Sequence, residues 1–394
     1  MEQSKTISNV KAAIWAILPV GLLILFVAIF LGKDTLLVGR NPALIENVAI
    51  ESVTFHPNMI VAQVRNSGPK EVTIAQVAVN DFLMAFEAEP SRTLSRLRAA
   101  KITIATMWEE GDPYEVKLIT SNGFVFSREV QIATLTPMPT ASNLVQFGLL
   151  GFYVGVVPVV LGLLWFPVLH RLNERWLMFF LSFTAGLLIF LGVDAIHEAF
   201  EVAERVPDVF KSTALIVLGL GGSFFALVAL RNKTRKPGES GSFSVRLALS
   251  YFIAVGIGLH NLGEGLAIGA AYVLGEVALG AFLVVGFAIH NVTEGLAIVT
   301  PVAREKPRLR HFAFFGLVAG IPTIFGTWIG GFTYSDLLAM IFLSIGAGAV
   351  FQVVYEIVKL MASESREGIA QLSNFVGVLT GLVVMYATSL LVAF

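Results

Sequence analysis

The sequence predicts a polytopic α-helical membrane protein that carries an all-β, sandwich-like extracytoplasmic domain near its N-terminus. Three observations predict it. Of the 394 residues, 56% are hydrophobic and only 14% charged, against about 25% charged in soluble domains. From Leu144 onward the chain is a series of apolar runs long enough to cross a bilayer core of ~30 Å, broken by short polar loops. Between Lys33 and Thr140 the charges return, and Val, Ile and Thr gather in short segments separated by turn residues. This composition excludes a soluble enzyme. A net charge of −1 gives no electrostatic footprint for nucleic acid. The absence of cysteine excludes disulfides, thiolate ligands and cysteine nucleophiles.

Residues 1–32 read as a cytoplasmic head, Met1 to Lys11, followed by a transmembrane anchor, Ala12 to Gly32. The apolar stretch is longer than the ~7–15 residues of a signal-peptide core and no small-x-small cleavage site follows it, so the anchor reads as uncleaved. Residues 33–140 form the β-domain. Strands are expected over Val48–Phe55, Ile60–Val64, Val72–Val79, Lys101–Met107 and Tyr114–Ile119. Turn signals separate them at His56-Pro57-Asn58, Asn66-Ser67-Gly68-Pro69, Glu110-Gly111-Asp112-Pro113 and Ser121-Asn122-Gly123. Thr136-Pro137-Met138-Pro139 reads as a linker into the membrane.

Residues 141–394 hold eight further spans, near 145–168, 176–203, 212–230, 245–271, 275–302, 311–331, 335–358 and 370–393. With the N-terminus in the cytoplasm, fifteen Lys and Arg fall in the short cytoplasmic segments, from Lys5 to Arg366, and only Arg205 and Lys211 in the short outer loops. The positive-inside rule then places the β-domain and the C-terminus outside, and the plasma membrane is the expected location.

Ionisable groups inside spans are costly unless paired or wetted. They are Asp194, His197, Glu198 and Glu201, then His260 and Glu264, His290 and Glu294, and Glu356. No Lys or Arg falls in mid-span, and acids and imidazoles without buried bases describe a route for a cation. The most specific signal is a repeat: His260-Asn261-Leu262-Gly263-Glu264-Gly265-Leu266-Ala267-Ile268 recurs as His290-Asn291-Val292-Thr293-Glu294-Gly295-Leu296-Ala297-Ile298. On a helix, His and Glu four apart share one face, and the Asn lies within an arc of roughly 100° of them. Because consecutive spans run antiparallel, His260 is expected level with Glu294 and Glu264 with His290. Nitrogen and oxygen donors of this kind suit Zn²⁺, Fe²⁺ or Mn²⁺, and the missing thiolates argue against Cu⁺. The surrounding glycines, Gly256, Gly258, Gly263, Gly265 and Gly269, also suit close helix packing.

At these residues the chain resembles the ZIP (Zrt/Irt-like) family of divalent metal transporters, whose fourth and fifth spans carry HNxPEG-type motifs. The resemblance covers about Leu144 to Phe394. Ser182-Phe183-Thr184-Ala185-Gly186 leading to Asp194 and Glu198 resembles the family's second span, and Gly346-Ala347-Gly348-Ala349 leading to Glu356 its seventh. The resemblance implies a ZIP-like eight-helix bundle and a two-metal centre. His260, Glu264, His290 and Glu294 would make its first site, and Asn261 and Asn291, with the same glutamates as bridges, would contribute to the second. It implies a metal entrance at Asp194, His197, Glu198 and Glu201 and an exit at Glu356. It also implies transport of Zn²⁺, or of Fe²⁺, Mn²⁺ or Co²⁺, into the cytoplasm, the metal being cargo rather than cofactor. The chain departs from the family where Gly263 and Thr293 replace the motif prolines. It departs again at Gly320-Ile321-Pro322-Thr323, where the family often has a Glu-Pro pair, which leaves one-metal and two-metal sites both open. The histidine-rich cytosolic loop of many relatives is missing between Arg231 and Phe243.

An enzyme is not expected. An intramembrane zinc protease needs a His-Glu-x-x-His helix, and His197-Glu198 is followed by Ala199-Phe200-Glu201. The alternative of another class is a metal-binding membrane receptor or sensor without transport. Metal ions and the lipid bilayer are the expected partners; a homodimer and a partner of the β-domain are open. The β-domain's only histidine, His56, sits in a turn and gives no ligand set.

Overall fold

The computed structural model describes residues 46–234, 243–273, 277–333, 335–364 and 369–390, together with Leu18, Gly21 and Leu22. The rest of the expected anchor, and residues 33–45, lie outside the described residues.

The β-domain contains β1 (Val48–His56), β2 (Met59–Asn66), β3 (Val72–Val79), β4 (Phe82–Met84), β5 (Phe86–Glu89), β6 (Thr93–Leu94), β7 (Ala99–Ala105), β8 (Tyr114–Thr120) and β9 (Val125–Val130). They form two antiparallel sheets, ordered β1-β2-β7-β5 and β4-β3-β8-β9, with β6 paired to β3. Alternation fixes which face is buried. Ala100, Ile102 and Ile104 of β7 and Val116 and Leu118 of β8 enter one core shared by both sheets. Bulges at Ile50/Ser52 and Ile74/Gln76 shift the parity of β1 and β3. Ile50 and Val53 can then both face inward, as can Ile74 and Val77. The five expected strands are β1, β2, β3, β7 and β8; the other four are short or lie at sheet edges.

Among the described residues, eight helices are long and apolar enough to cross a membrane. They are α1 (Ala141–Leu169), α2 (Glu174–Ala203), α3 (Ser212–Thr234), α4 (Phe243–Val273), α5 (Val277–Val299), α6 (Leu309–Thr333), α7 (Asp336–Glu364) and α8 (Leu372–Ser389). Thr140 and Asn173 begin α1 and α2 by accepting hydrogen bonds from the backbone N–H groups of Asn143 and Trp176.

The helices carry a wider repeat than the paired motif. Phe147, Gly151 and Gly155 of α1 recur as Phe312, Gly316 and Gly320 of α6, and Pro158 and Gly162 recur as Pro322 and Gly326, with one residue fewer between the two sets. Where α1 holds the extra residue it makes a π turn, Phe152–Val156, closed by the Val157 N–H on the Phe152 carbonyl. In α2 and α7, Phe180-Leu181-Ser182 and Ala185-Gly186 recur as Phe342-Leu343-Ser344 and Ala347-Gly348, which aligns Asp194 with Glu356.

The packing repeats too. A Cβ added to Gly162 would come 2.7 Å from the Gly295 Cα of α5, and one on Gly326 would come 2.9 Å from the Gly265 Cα of α4. Gly377 of α8 lies against Ser182 as Gly219 of α3 lies against Ser344, at 2.8 and 2.9 Å from an added Cβ. Along α1, Gly148 meets Trp328, Gly151 meets Ile324 and Gly155 meets Gly320, so α1 and α6 run antiparallel. The bundle is an inverted repeat of α1–α3 and α6–α8 around α4 and α5.

Candidate metal centre

Both motifs sit well inside their helices, α4 and α5, so the side chains that the i, i+4 spacing puts on one face have backbone support on both sides. His260, Asn261, Glu264, His290, Asn291 and Glu294 are all buried, none more than 6% exposed. One donor atom each from His260, His290 and Glu294 lies within 4.8 Å of the others. Among the described residues no other group of three or more His, Cys, Asp or Glu meets that test. Glu264 is bonded to the histidines: one carboxylate oxygen pairs with His290 Nε2 and lies 3.3 Å from His260 Nε2. The cross-helix relation expected from antiparallel packing is therefore present in both directions.

The asparagines are anchored through their amide hydrogens. Asn291 Nδ2 donates to the Val154 carbonyl of α1 at 3.0 Å and to the second oxygen of Glu264 at 3.1 Å. Asn261 Nδ2 donates to the Ala319 carbonyl of α6 at 3.2 Å; its amide also approaches Glu294, without a bond of good geometry. Val154 and Ala319 are equivalent in the helix repeat, so each Asn grips the same place on its neighbouring helix.

Several buried atoms at the centre have no hydrogen-bond partner among the described residues: both oxygens of Glu294, Asn261 Oδ1, Asn291 Oδ1, His260 Nδ1 and Thr323 Oγ1. Buried polar groups are ordinarily satisfied, and with Glu294 ionised these atoms, apart from the Thr hydroxyl and the tautomeric imidazole nitrogen, only accept. A surplus of converging acceptors fits a cation. Thr323 Oγ1 lies against Gly155 of the π turn. Both helices run continuously through Gly263 and Thr293, and Thr293 Oγ1 donates back to the His290 carbonyl at 2.6 Å.

On α2, Asp194 is exposed and Glu198 half-buried, and both lie within electrostatic range of His260 and Glu264. His197 and Glu201 are exposed and face each other at 3.5 Å on the same helix. Glu356 sits apart from the centre. Its carboxylate lies 3.7 Å from Arg231 Nε and 3.9 Å from Lys359 Nζ. Arg231 stacks over Phe252 at 5.3 Å and is 5% exposed. Here the structure departs from the sequence expectation: a buried base accompanies the acid at the end of α3, because the long Arg side chain folds back along the helices.

Sequence reasoning also missed the Val154 and Ala319 carbonyls, which belong to apolar residues and carry no side-chain signal; Pro158 was the available hint. In the β-domain His56 contacts Thr54 Oγ1 at 3.3 Å, and burial, then the Lys101 charge, lower its pKa from 6.5.

No protein-family model matches the chain, and no curated protein matches it. Among solved structures, it is similar to the archaellum periplasmic stator protein FlaG from Sulfolobus acidocaldarius at 18% identity, over 22% of this chain and 99% of that one, with a TM-score of 0.19. A likeness of that size carries no argument about function.

Proposed function

We propose that this protein is a ZIP-like transporter that carries a divalent transition metal, Zn²⁺ foremost, from outside into the cytoplasm across the plasma membrane. The observation that carries the proposal is the convergence of His260, His290 and Glu294 among buried acceptors that have no partner. Metal approaches past Asp194 and Glu198, sheds water, and is bound by the two imidazoles and Glu294, with Glu264 and the Asn oxygens beside them. Each imidazole must be unprotonated at the ligating nitrogen, so binding releases protons and weakens on acidification. Carboxylates offset the loss of hydration while leaving the ion exchangeable. The inverted repeat supports alternating access by rocking of one helix group against the other around a fixed site. Thr323 in place of a carboxylate favours one strong site over two. On this reading the ion leaves past Glu356, where it competes with Arg231.

The test is uptake of Zn²⁺ by proteoliposomes loaded with a metal-sensitive dye, comparing the intact protein with Glu264→Ala plus Glu294→Ala. Saturable uptake lost in the double variant supports transport through this centre. Binding of Zn²⁺ with no uptake overturns transport and favours a metal receptor.

A further inference from the structure

We propose that Pro158 is a positioning residue for the metal centre: by removing one backbone N–H from α1 it frees the Val154 carbonyl to hold the Asn291 amide, which aims Asn291 Oδ1 at the ion. This rests on the reading of the centre as a metal site.

In a regular helix the Val154 carbonyl would accept from the N–H of residue 158. Proline has none, and the π turn Phe152–Val156, just before Pro158, places the extra residue of α1 at this point. The acceptor is taken instead by Asn291 Nδ2 at 3.0 Å. The second amide hydrogen goes to Glu264 Oε2 at 3.1 Å. Both partners are acceptors, so the NH₂ end is fixed toward them and the oxygen end toward the remaining side. That oxygen is buried without a partner among the described residues. A helix with no ionisable side chain at the centre thus sets the orientation of one of its oxygen donors.

The repeat supplies an internal comparison. Asn261 donates to Ala319, the equivalent carbonyl of α6, at 3.2 Å. One residue fewer separates Gly320 from Pro322, so the residue four after Ala319 is Thr323, which has its own N–H. The Ala319 carbonyl is shared where the Val154 carbonyl is released. The positioning role therefore belongs to Pro158 and not to Pro322.

The experiment is a double-variant cycle read by calorimetric titration of the purified full-length protein with Zn²⁺. Pro158→Ala restores the N–H, displaces the Asn291 amide and weakens Zn²⁺ binding about tenfold. Asn291→Asp keeps an oxygen toward the ion but turns an acceptor onto the freed carbonyl. Adding Pro158→Ala to Asn291→Asp supplies that carbonyl with a donor and tightens binding. The same proline substitution thus has opposite signs in the two backgrounds, which a loss of folding does not produce. Pro322→Ala leaves affinity within about twofold. Pro158→Ala acting with the same sign in both backgrounds, or without effect in the wild-type background, overturns the inference. Wild-type protein that binds no Zn²⁺ overturns the metal-site reading itself.

Discussion

Arg231 and Glu356 face each other across α3 and α7 with both side chains buried, the guanidinium Nε 3.7 Å from the carboxylate. Removing one partner of such a pair weakens the compensation of the other's buried charge, at a cost of up to about 3 kcal/mol. Glu356→Gln therefore lowers stability in detergent, and lowers it less when Arg231→Gln is already present. On the transport reading, Arg231→Gln also raises the initial uptake rate, because the ion no longer competes for the carboxylate. Additive stability losses, or an unchanged rate, would contradict this.

Glu294 is the reverse case. Its carboxylate is buried with neither oxygen bonded among the described residues, which on the metal-site reading is a liability tolerated for binding. Glu294→Gln raises the metal-free thermal stability, by about 1–3 kcal/mol, and abolishes stabilisation by added Zn²⁺. Thermal unfolding with and without metal reads both effects; a less stable metal-free variant would count against the site.

The glycine contacts make a graded prediction. An added Cβ at Gly295 would come 2.8 Å from the Gly162 Cα, backbone against backbone, whereas one at Gly221 or Gly222 meets nothing within 4 Å. Gly295→Ala should cost about 3 kcal/mol or prevent folding. Gly221→Ala should be neutral or stabilising by up to about 1 kcal/mol. Folded yield and unfolding temperature compare the two directly.

His56 gives the β-domain a pH response. Its pKa is lowered in the fold, by burial first and by Lys101 second, so the unfolded chain binds the proton more readily. The stabilising contribution is full above pH 6.5, the unfolded value, and is lost as pH falls through the folded value. Hydrogen exchange of β1 and β2 in the full-length protein should quicken modestly on acidification below that point. His56→Gln should flatten the response, and an unchanged slope would refute the assignment.

The parts of this protein legible in the sequence are those written in side chains with a period. Val72–Val79 and Tyr114–Thr120 alternate or run apolar between clear turns, and they stand close to where the pattern put them. By contrast β9, VFSREV, alternates between half-buried and exposed positions and carries two charges, so it reads as loop. The three residues of β4 and the two of β6 are too short for any period. At the centre, the His-Asn-x-x-Glu spacing disclosed which side chains meet. What they hold was hidden, because the partners of Asn261 and Asn291 are backbone carbonyls freed or shifted by one inserted residue. The burial of Arg231 was hidden for another reason: at the end of an apolar run, charge counting assigns any Arg to the loop, and only packing shows it folded inward.

The most direct test of the central claim is the zinc K-edge X-ray absorption spectrum of the purified protein with one equivalent of Zn²⁺. A centre built from His260, His290 and Glu294 predicts a nitrogen and oxygen shell at about 2.0–2.1 Å, with the outer-shell scattering of two imidazoles. It also predicts loss of one imidazole in His260→Ala and of another in His290→Ala. A shell of oxygens alone, unchanged by those substitutions, would place the ion elsewhere and contradict the account.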